Sequence, residues 1–246
     1  VLNKYLEMIN NTGWYSNFGP LHAKLTNRLE EFLGVDNLLL VSNGTLALHV
    51  MYRTLGIKNA ICTPFSYSAT ASSLYWEKIP FSFVDIDSKS LNLCPKLASK
   101  KLQNNENIDA LVATHVYGNP CDVNAFDILK KKHNLKIIYD GAHAFNIKLA
   151  EESILNFGDA SSLSFHATKL FHTIEGGAVI FKSKEYFDQA KSMINFGLES
   201  DKEQNKLGIN AKLNEYQCAV GLTLLDEIEI ILEQRIKLFN LYKQNL

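Results

Sequence analysis

Lys169 stands in SLSFHATKLFHTIEGGAVIF, after one apolar run and ahead of a Gly-Gly turn into another. That is a poor place for a purely solvated lysine. If the site around it closes, lost hydration moves the pKa down from about 10.4. The neutral amine is then a nucleophile able to form a Schiff base. Asp140 follows the apolar run KIIY in IIYDGAHAF, with His143 three residues on. A carboxylate at the end of a buried strand needs a cation, a metal ion or a helix N-terminus as its partner. No further Asp/His cluster stands nearby, so a metal is not expected; an aspartate capping a short helix is the plainer alternative. Ser42-Asn43-Gly44-Thr45 lies between the apolar run LLLV and a helical pattern. Gly44 allows close backbone approach, and a helix start presents free N–H groups to an anion. The same residues would also serve as an ordinary N-cap.

These groups need strands to carry them and helices to cover the strands. Short apolar runs bounded by polar or turn residues occur at Leu38–Val41, Ala60–Cys62, Phe81–Val84, Ala110–Ala113 and Lys136–Tyr139. Helical patterns fall between them, from Thr45 to about Thr54, over about Ser66–Trp76 and over Asp122–Lys132. Alternation of this kind predicts an α/β fold with a mostly parallel sheet covered on both faces. Ser161–Phe165 and Ala178–Phe181 read as two more strands without a crossover helix between them, so an antiparallel pair joined by a long loop is expected. From about Asn214 to the end, Leu222, Leu225, Ile228, Ile231 and Leu232 keep helical spacing, which predicts a long closing helix. In such sheets ligands collect beyond the carboxyl ends of the strands.

Composition narrows the function classes. The 246 residues include 25 basic and 26 acidic side chains, a net charge of −1, with 46% hydrophobic residues. That argues against a nucleic-acid binder working by bulk charge and against disorder. No apolar run approaches the roughly 20 residues of a membrane span. The start, VLNKYLEMINN, lacks the regions of a signal peptide, so a cytoplasmic location is expected. The four cysteines form no C-x-x-C pair and read as reduced thiols. Neither a Walker A loop nor a dinucleotide glycine fingerprint occurs.

A phosphate cradle, a carboxylate for a ring nitrogen and a Schiff-base lysine are together what pyridoxal phosphate requires. The motifs GWYSNFGP, SNGTLAL, TPFSYSAT, FVDID, THVYGNPCDV, YDGAHAF, SFHATKLFHTIEGGA and GINAKLNEYQCAVGL run through most of the chain. In this order and spacing the sequence resembles the DegT/DnrJ/EryC1/StrS sugar aminotransferases, whose large domain has the fold-type I architecture. The resemblance implies that Lys169 forms the Schiff base with the cofactor and that Asp140 pairs with the pyridine nitrogen. It places His143 near the phenolic oxygen, Tyr67 on the ring face, and Gly44, Thr45 and Ser164 on the phosphate. Asn210, in GINAKLNE, would reach the phosphate of a neighbouring subunit, which makes a homodimer necessary for activity. His115, His166 and Glu175 receive no role. Gly141 stands where many relatives have alanine, and Ile174 where glycine is frequent. The branch with histidine in place of the lysine performs dehydration; Lys169 argues against it.

The activity so implied is transfer of an amino group from L-glutamate to a nucleotide-linked ketosugar in deoxysugar and lipopolysaccharide O-antigen biosynthesis, with pyridoxamine phosphate as the amino-carrying form. The resemblance favours dTDP-4-dehydro-6-deoxy-D-glucose, giving dTDP-4-amino-4,6-dideoxy-D-glucose. Amination at the 3-position, or a non-catalytic regulatory or binding protein of the same fold, are the alternatives. Residues 1–213 are expected to be the large cofactor domain. Residues 214–246 are expected to form the long helix leading to a C-terminal small domain of about 100 residues.

Overall fold

The sheet takes its place because its strands are apolar on both faces. In the computed structural model, which describes residues 1–198 and 207–246, the chain runs α1 (Leu2–Thr12), α2 (Pro20–Leu33), β1 (Leu38–Val41), α3 (Gly44–Leu55), β2 (Ala60–Cys62), α4 (Ser68–Trp76), β3 (Phe81–Phe83), α5 (Pro95–Gln103), β4 (Ala110–Thr114), α6 (Val123–His133) and β5 (Lys136–Asp140). It continues through a small hairpin, β6 (Lys148–Leu149) and β7 (Glu152–Ser153), to β8 (Ala160–Ser164), β9 (Gly177–Phe181), α7 (Lys184–Met193), α8 (Glu215–Asp226) and α9 (Ile228–Asn245). Successive strand residues point to opposite faces, and the core divides accordingly. Leu38, Leu40, Leu111, Ile137, Tyr139 and Ile180 pack with α1, α2, α5, α6 and α8. Leu39, Val41, Val112, Ile138, Val179 and Phe181 pack with α3, α4 and α7.

The seven-stranded sheet has the order β1-β9-β8-β5-β4-β2-β3. The contacts β3–β2–β4–β5–β8 are all parallel. β9 runs antiparallel to both β8 and β1, as the missing crossover helix predicts. Register then sets one edge of the sheet: Thr114 pairs with Asp140, Asp140 with Ser162, and Gly177 with both Ser164 and Val41. The carboxyl ends of β4, β5, β8 and β1 therefore open to the same side.

Two expectations need revision. The helix read from Ser66 begins at Ser68, because Tyr67 is extended (φ −62°, ψ 146°) and acts as the N-cap of α4. The helical pattern from Asn214 divides into α8 and α9 at Glu227 (φ −115°, ψ 8°), whose N–H turns back to the Leu224 carbonyl. Asp226, at the end of α8, is held by the Tyr5 hydroxyl at 2.8 Å and by Arg28. Past Ile228, α9 is mostly exposed. Among the described residues no helix is long and apolar enough to cross a membrane.

Glu215, the first residue of α8, is 1% exposed and caps a different helix. Its two carboxylate oxygens accept the Leu21 and His22 N–H groups, each at 2.8 Å. A negative charge on the free donors of a helix N-terminus is favourable, and here it also joins α8 to α2. Glu215→Ala is expected to lower stability by about 2–3 kcal/mol in urea denaturation, in the range of hydrogen bonds to a charged group. Glu215→Gln, which keeps one acceptor, should cost less. Equal midpoints for wild type and both variants would contradict this role.

Candidate active site

The turn between β1 and α3 is built by the side chain of Asn43, which accepts the Leu46 N–H at 2.8 Å and starts the helix. That leaves Gly44 and Thr45 at its N-terminus. Gly44 lies against the end of β8: a Cβ added there would sit 2.9 Å from the Cβ of Ser164. The Ser42 N–H donates to the Ala211 carbonyl at 2.8 Å, so the segment carrying Asn210 runs beside this turn. Asn210 itself is exposed and bridges to Asn195.

Asp140 ends β5 and is 4% exposed. Its Oδ1 accepts the Ala142 N–H at 3.1 Å, and its Oδ2 accepts the Thr70 hydroxyl at 2.6 Å. The Ser66 hydroxyl lies 2.7 Å from that of Thr70 and 3.0 Å from that of Thr114. None of these three hydroxyl residues stood out in the sequence. For Ser66 and Thr70 the signal available was their place on either side of Tyr67 in TPFSYSAT. Gly141 has no room for the alanine that the resemblance leads one to expect, since a Cβ would meet the Ser162 carbonyl oxygen at 2.7 Å.

Lys169 sits on a loop pinned along its length. Phe165 N–H donates to the Gly176 carbonyl, Thr173 N–H to the Phe165 carbonyl and Ala167 N–H to the Ile174 carbonyl, at 2.8–2.9 Å. Two residues beyond the lysine, Phe171 is fully buried, stacked on Phe145 (centroids 4.7 Å apart) and edge-on to Phe165 (4.9 Å). Burial moves the Lys169 pKa down, against an opposing pull from the charge of Asp140. His143 is exposed and parallel to the Tyr117 ring, and its pKa is lowered by burial and by the charge of Lys169. Tyr67 is 79% exposed, at the start of the helix that carries Thr70.

The residues without an assigned role are placed as follows. His115 is fully buried and stacked on Tyr139, and its Nδ1 accepts the Cys121 N–H at 3.0 Å. Desolvation holds its pKa down at about 3, which makes it a neutral packing residue behind Asp140. His166 is exposed, 2.9 Å from the Thr168 hydroxyl and 3.6 Å from the Glu175 carboxylate. Glu175 anchors the loop through its backbone, where its carbonyl accepts from Thr173 and Gln217. Among the described residues no group of three His, Cys, Asp or Glu side chains could hold a metal ion. The crevices around Asn156 and Gly158 lie at the amino ends of the strands and are lined by none of the candidate site residues.

The arrangement is a tight cradle at a helix N-terminus, a buried carboxylate and a partly desolvated amine along one edge of one sheet. The family profile of the DegT/DnrJ/EryC1/StrS aminotransferases matches residues 2–246. The chain belongs to that family. It is 42% identical over 243 residues to a dTDP-4-amino-4,6-dideoxy-D-glucose transaminase of Shigella dysenteriae, covering 98% of this chain and 66% of that one. Among solved structures it resembles DesI, determined in the presence of its TDP-sugar product, with 29% identity and a TM-score of 0.87 over 93% of this chain and 58% of that one. It also resembles a Bacillus cereus protein described as a PLP-dependent aminotransferase, with 25% identity and a TM-score of 0.90 over 99% of this chain and 68% of that one. The chain thus spans about two thirds of the length of the Shigella relative and less of DesI. The cofactor of this DegT/DnrJ/EryC1/StrS chain is pyridoxal phosphate, and the groups present fit it. A Cβ at Gly44 would fill the cradle, and a buried carboxylate beside an amine is otherwise an odd pair for a strand end.

Two expectations can be checked without the cofactor. Ile174 adopts φ +66°, a conformation disfavoured for a β-branched residue, at the position where relatives often have glycine. Ile174→Gly should therefore raise stability by about 1 kcal/mol in urea denaturation; a loss would show that the isoleucine side chain contributes more than the backbone strain costs. A lowered lysine pKa means a larger neutral fraction at any pH below it. In reductive methylation followed by peptide mass spectrometry, the pH–rate midpoint of Lys169 should fall below the ordinary lysine value of about 10.4. A midpoint at that ordinary value would contradict the desolvated amine.

Proposed function

We propose that this protein is a pyridoxal phosphate-dependent aminotransferase that moves the amino group of L-glutamate to a nucleotide-linked ketosugar. The observation that carries this reading is that buried Asp140, the Gly44–Ser164 cradle and Lys169, which feels the charge of Asp140, all follow the carboxyl ends of the sheet's parallel strands. Its substrate is dTDP-4-dehydro-6-deoxy-D-glucose and its product dTDP-4-amino-4,6-dideoxy-D-glucose, a choice supported by the 42% identity to the Shigella enzyme of that name.

Gly44, Thr45 and Ser164 would hold the phosphate, and Asn210 would reach the same group in a second copy of the chain. Tyr67 would cover the ring face, His143 would stand by the phenolic oxygen, and Asp140 would keep the ring nitrogen protonated. Bound there, pyridoxal phosphate supplies a ring that draws electrons away from the Cα–H bond of the amino donor. Lys169 would hold the cofactor through its Nζ. The same Nζ would take the Cα proton of the amino donor and later return one, which a lowered pKa favours. The hydrogen-bonded, aromatic-anchored loop keeps that amine in place through both transfers.

The purified protein should take up pyridoxal phosphate with a yellow colour that shifts on addition of glutamate. Lys169→Ala should lose covalent attachment and activity. With a panel of 3-keto and 4-keto dTDP-sugars, mass and NMR analysis should identify the 4-amino product. A wild-type protein that never binds the cofactor would overturn the reading, while a 3-amino product would overturn the choice of sugar.

A further inference from the structure

Three hydroxyls from three elements are linked in a row that reaches Asp140 through Thr70: Thr114 from the end of β4, Ser66 from the turn after β2 and Thr70 from the first turn of α4. Thr70 is 1% exposed and Thr114 is buried, with half-buried Ser66 between them, so the terminal Thr70–Asp140 bond is the one shielded from water. Each hydroxyl has one proton to give and can accept from others. An ionised carboxylate has none, so Thr70 must donate to Asp140 Oδ2. Its proton spent, Thr70 must accept from Ser66 across 2.7 Å, and Ser66 in turn must accept from Thr114 across 3.0 Å. Bonds aligned in this way polarise one another, and most strongly where the dielectric is low.

We infer that Thr114, Ser66 and Thr70 form a one-way chain of donors ending on Asp140, and that Thr70 is the positioning residue that holds this carboxylate toward the ring nitrogen of the cofactor. The inference rests on the cofactor reading above. Ala142 N–H holds the other oxygen, so the two donors together fix the plane of the carboxylate. The chain has a second effect. Ser66 and Thr70 flank Tyr67, so the bonds that orient Asp140 also set the turn presenting the exposed aromatic.

The test uses the whole chain and two readouts besides activity: the dissociation constant of pyridoxal phosphate by fluorescence titration, and the pH midpoint of the bound chromophore's absorbance. Thr70→Val keeps shape and removes the donor. It is expected to weaken cofactor binding about tenfold, in the range of one hydrogen bond to a charged group. It should also move the absorbance midpoint to higher pH, because a less firmly protonated ring nitrogen places less positive charge near the titrating group. Thr70→Ser should restore both values, and Ser66→Ala should show a smaller change in the same directions. If Thr70→Val folds poorly, the serine and Ser66→Ala variants carry the comparison. Wild-type values in Thr70→Val, or no recovery in Thr70→Ser, would overturn the inference. Failure of the wild type to bind the cofactor at all is a separate result and overturns the function proposed above.

Discussion

A carboxylate nearly removed from water at the end of the central strand β5 constrains everything around it. Burying Asp140 without donors would cost several kcal/mol or force it to take up a proton. The fold answers with a backbone N–H from its own turn and a hydroxyl from α4. That second donor obliges the β2–α4 turn to approach β5 across β4, and Thr114 on β4 lies in register with Asp140 at the crossing. The absence of a Cβ at Gly141 has the same origin, since the turn after Asp140 closes against the Ser162 carbonyl.

Position is secured differently for the amine. In the reaction proposed above Lys169 would need a loop, because an amine serving both cofactor and substrate has to reach both. A free loop would blur its position. Main-chain bonds close the loop at both ends, and Phe171 is held between Phe145 and Phe165 beneath it. The left-handed backbone at Ile174 is tolerated within this tie. The cradle at Gly44 relies instead on close backbone approach, a contact that any larger residue would exclude.

The strands were legible in the sequence because each is a short apolar run between turn residues. The antiparallel β8–β9 pair was legible because no crossover helix fits between them. The helices α1, α2, α5 and α7 were not singled out, since their apolar positions are sparse and acquire meaning only against a partner. The division between α8 and α9 had no mark in the periodicity. It falls just after Asp226, which Tyr5 and Arg28, far away in the chain, hold by hydrogen bonds.

Lys169, Asp140 and the Ser42–Thr45 turn stood out by themselves, as charged or glycine-bearing residues at the ends of buried runs are rare and demand partners. The sequence by itself thus determined the chemical groups, their order along strand and loop, and the family pattern they compose. Which partners satisfy them was decided only in three dimensions. Thr70, Ser66 and Thr114 are ordinary residues in the chain. They become a donor chain because parallel register and helix packing bring together residues as far apart as positions 66 and 140. Glu215 is the same case: a surface-type residue in composition, and a buried cap once α8 lies against α2. Hydrogen bonds act over about 3 Å, whereas sequence patterns report only on neighbours along the chain, so such pairings belong to the tertiary structure.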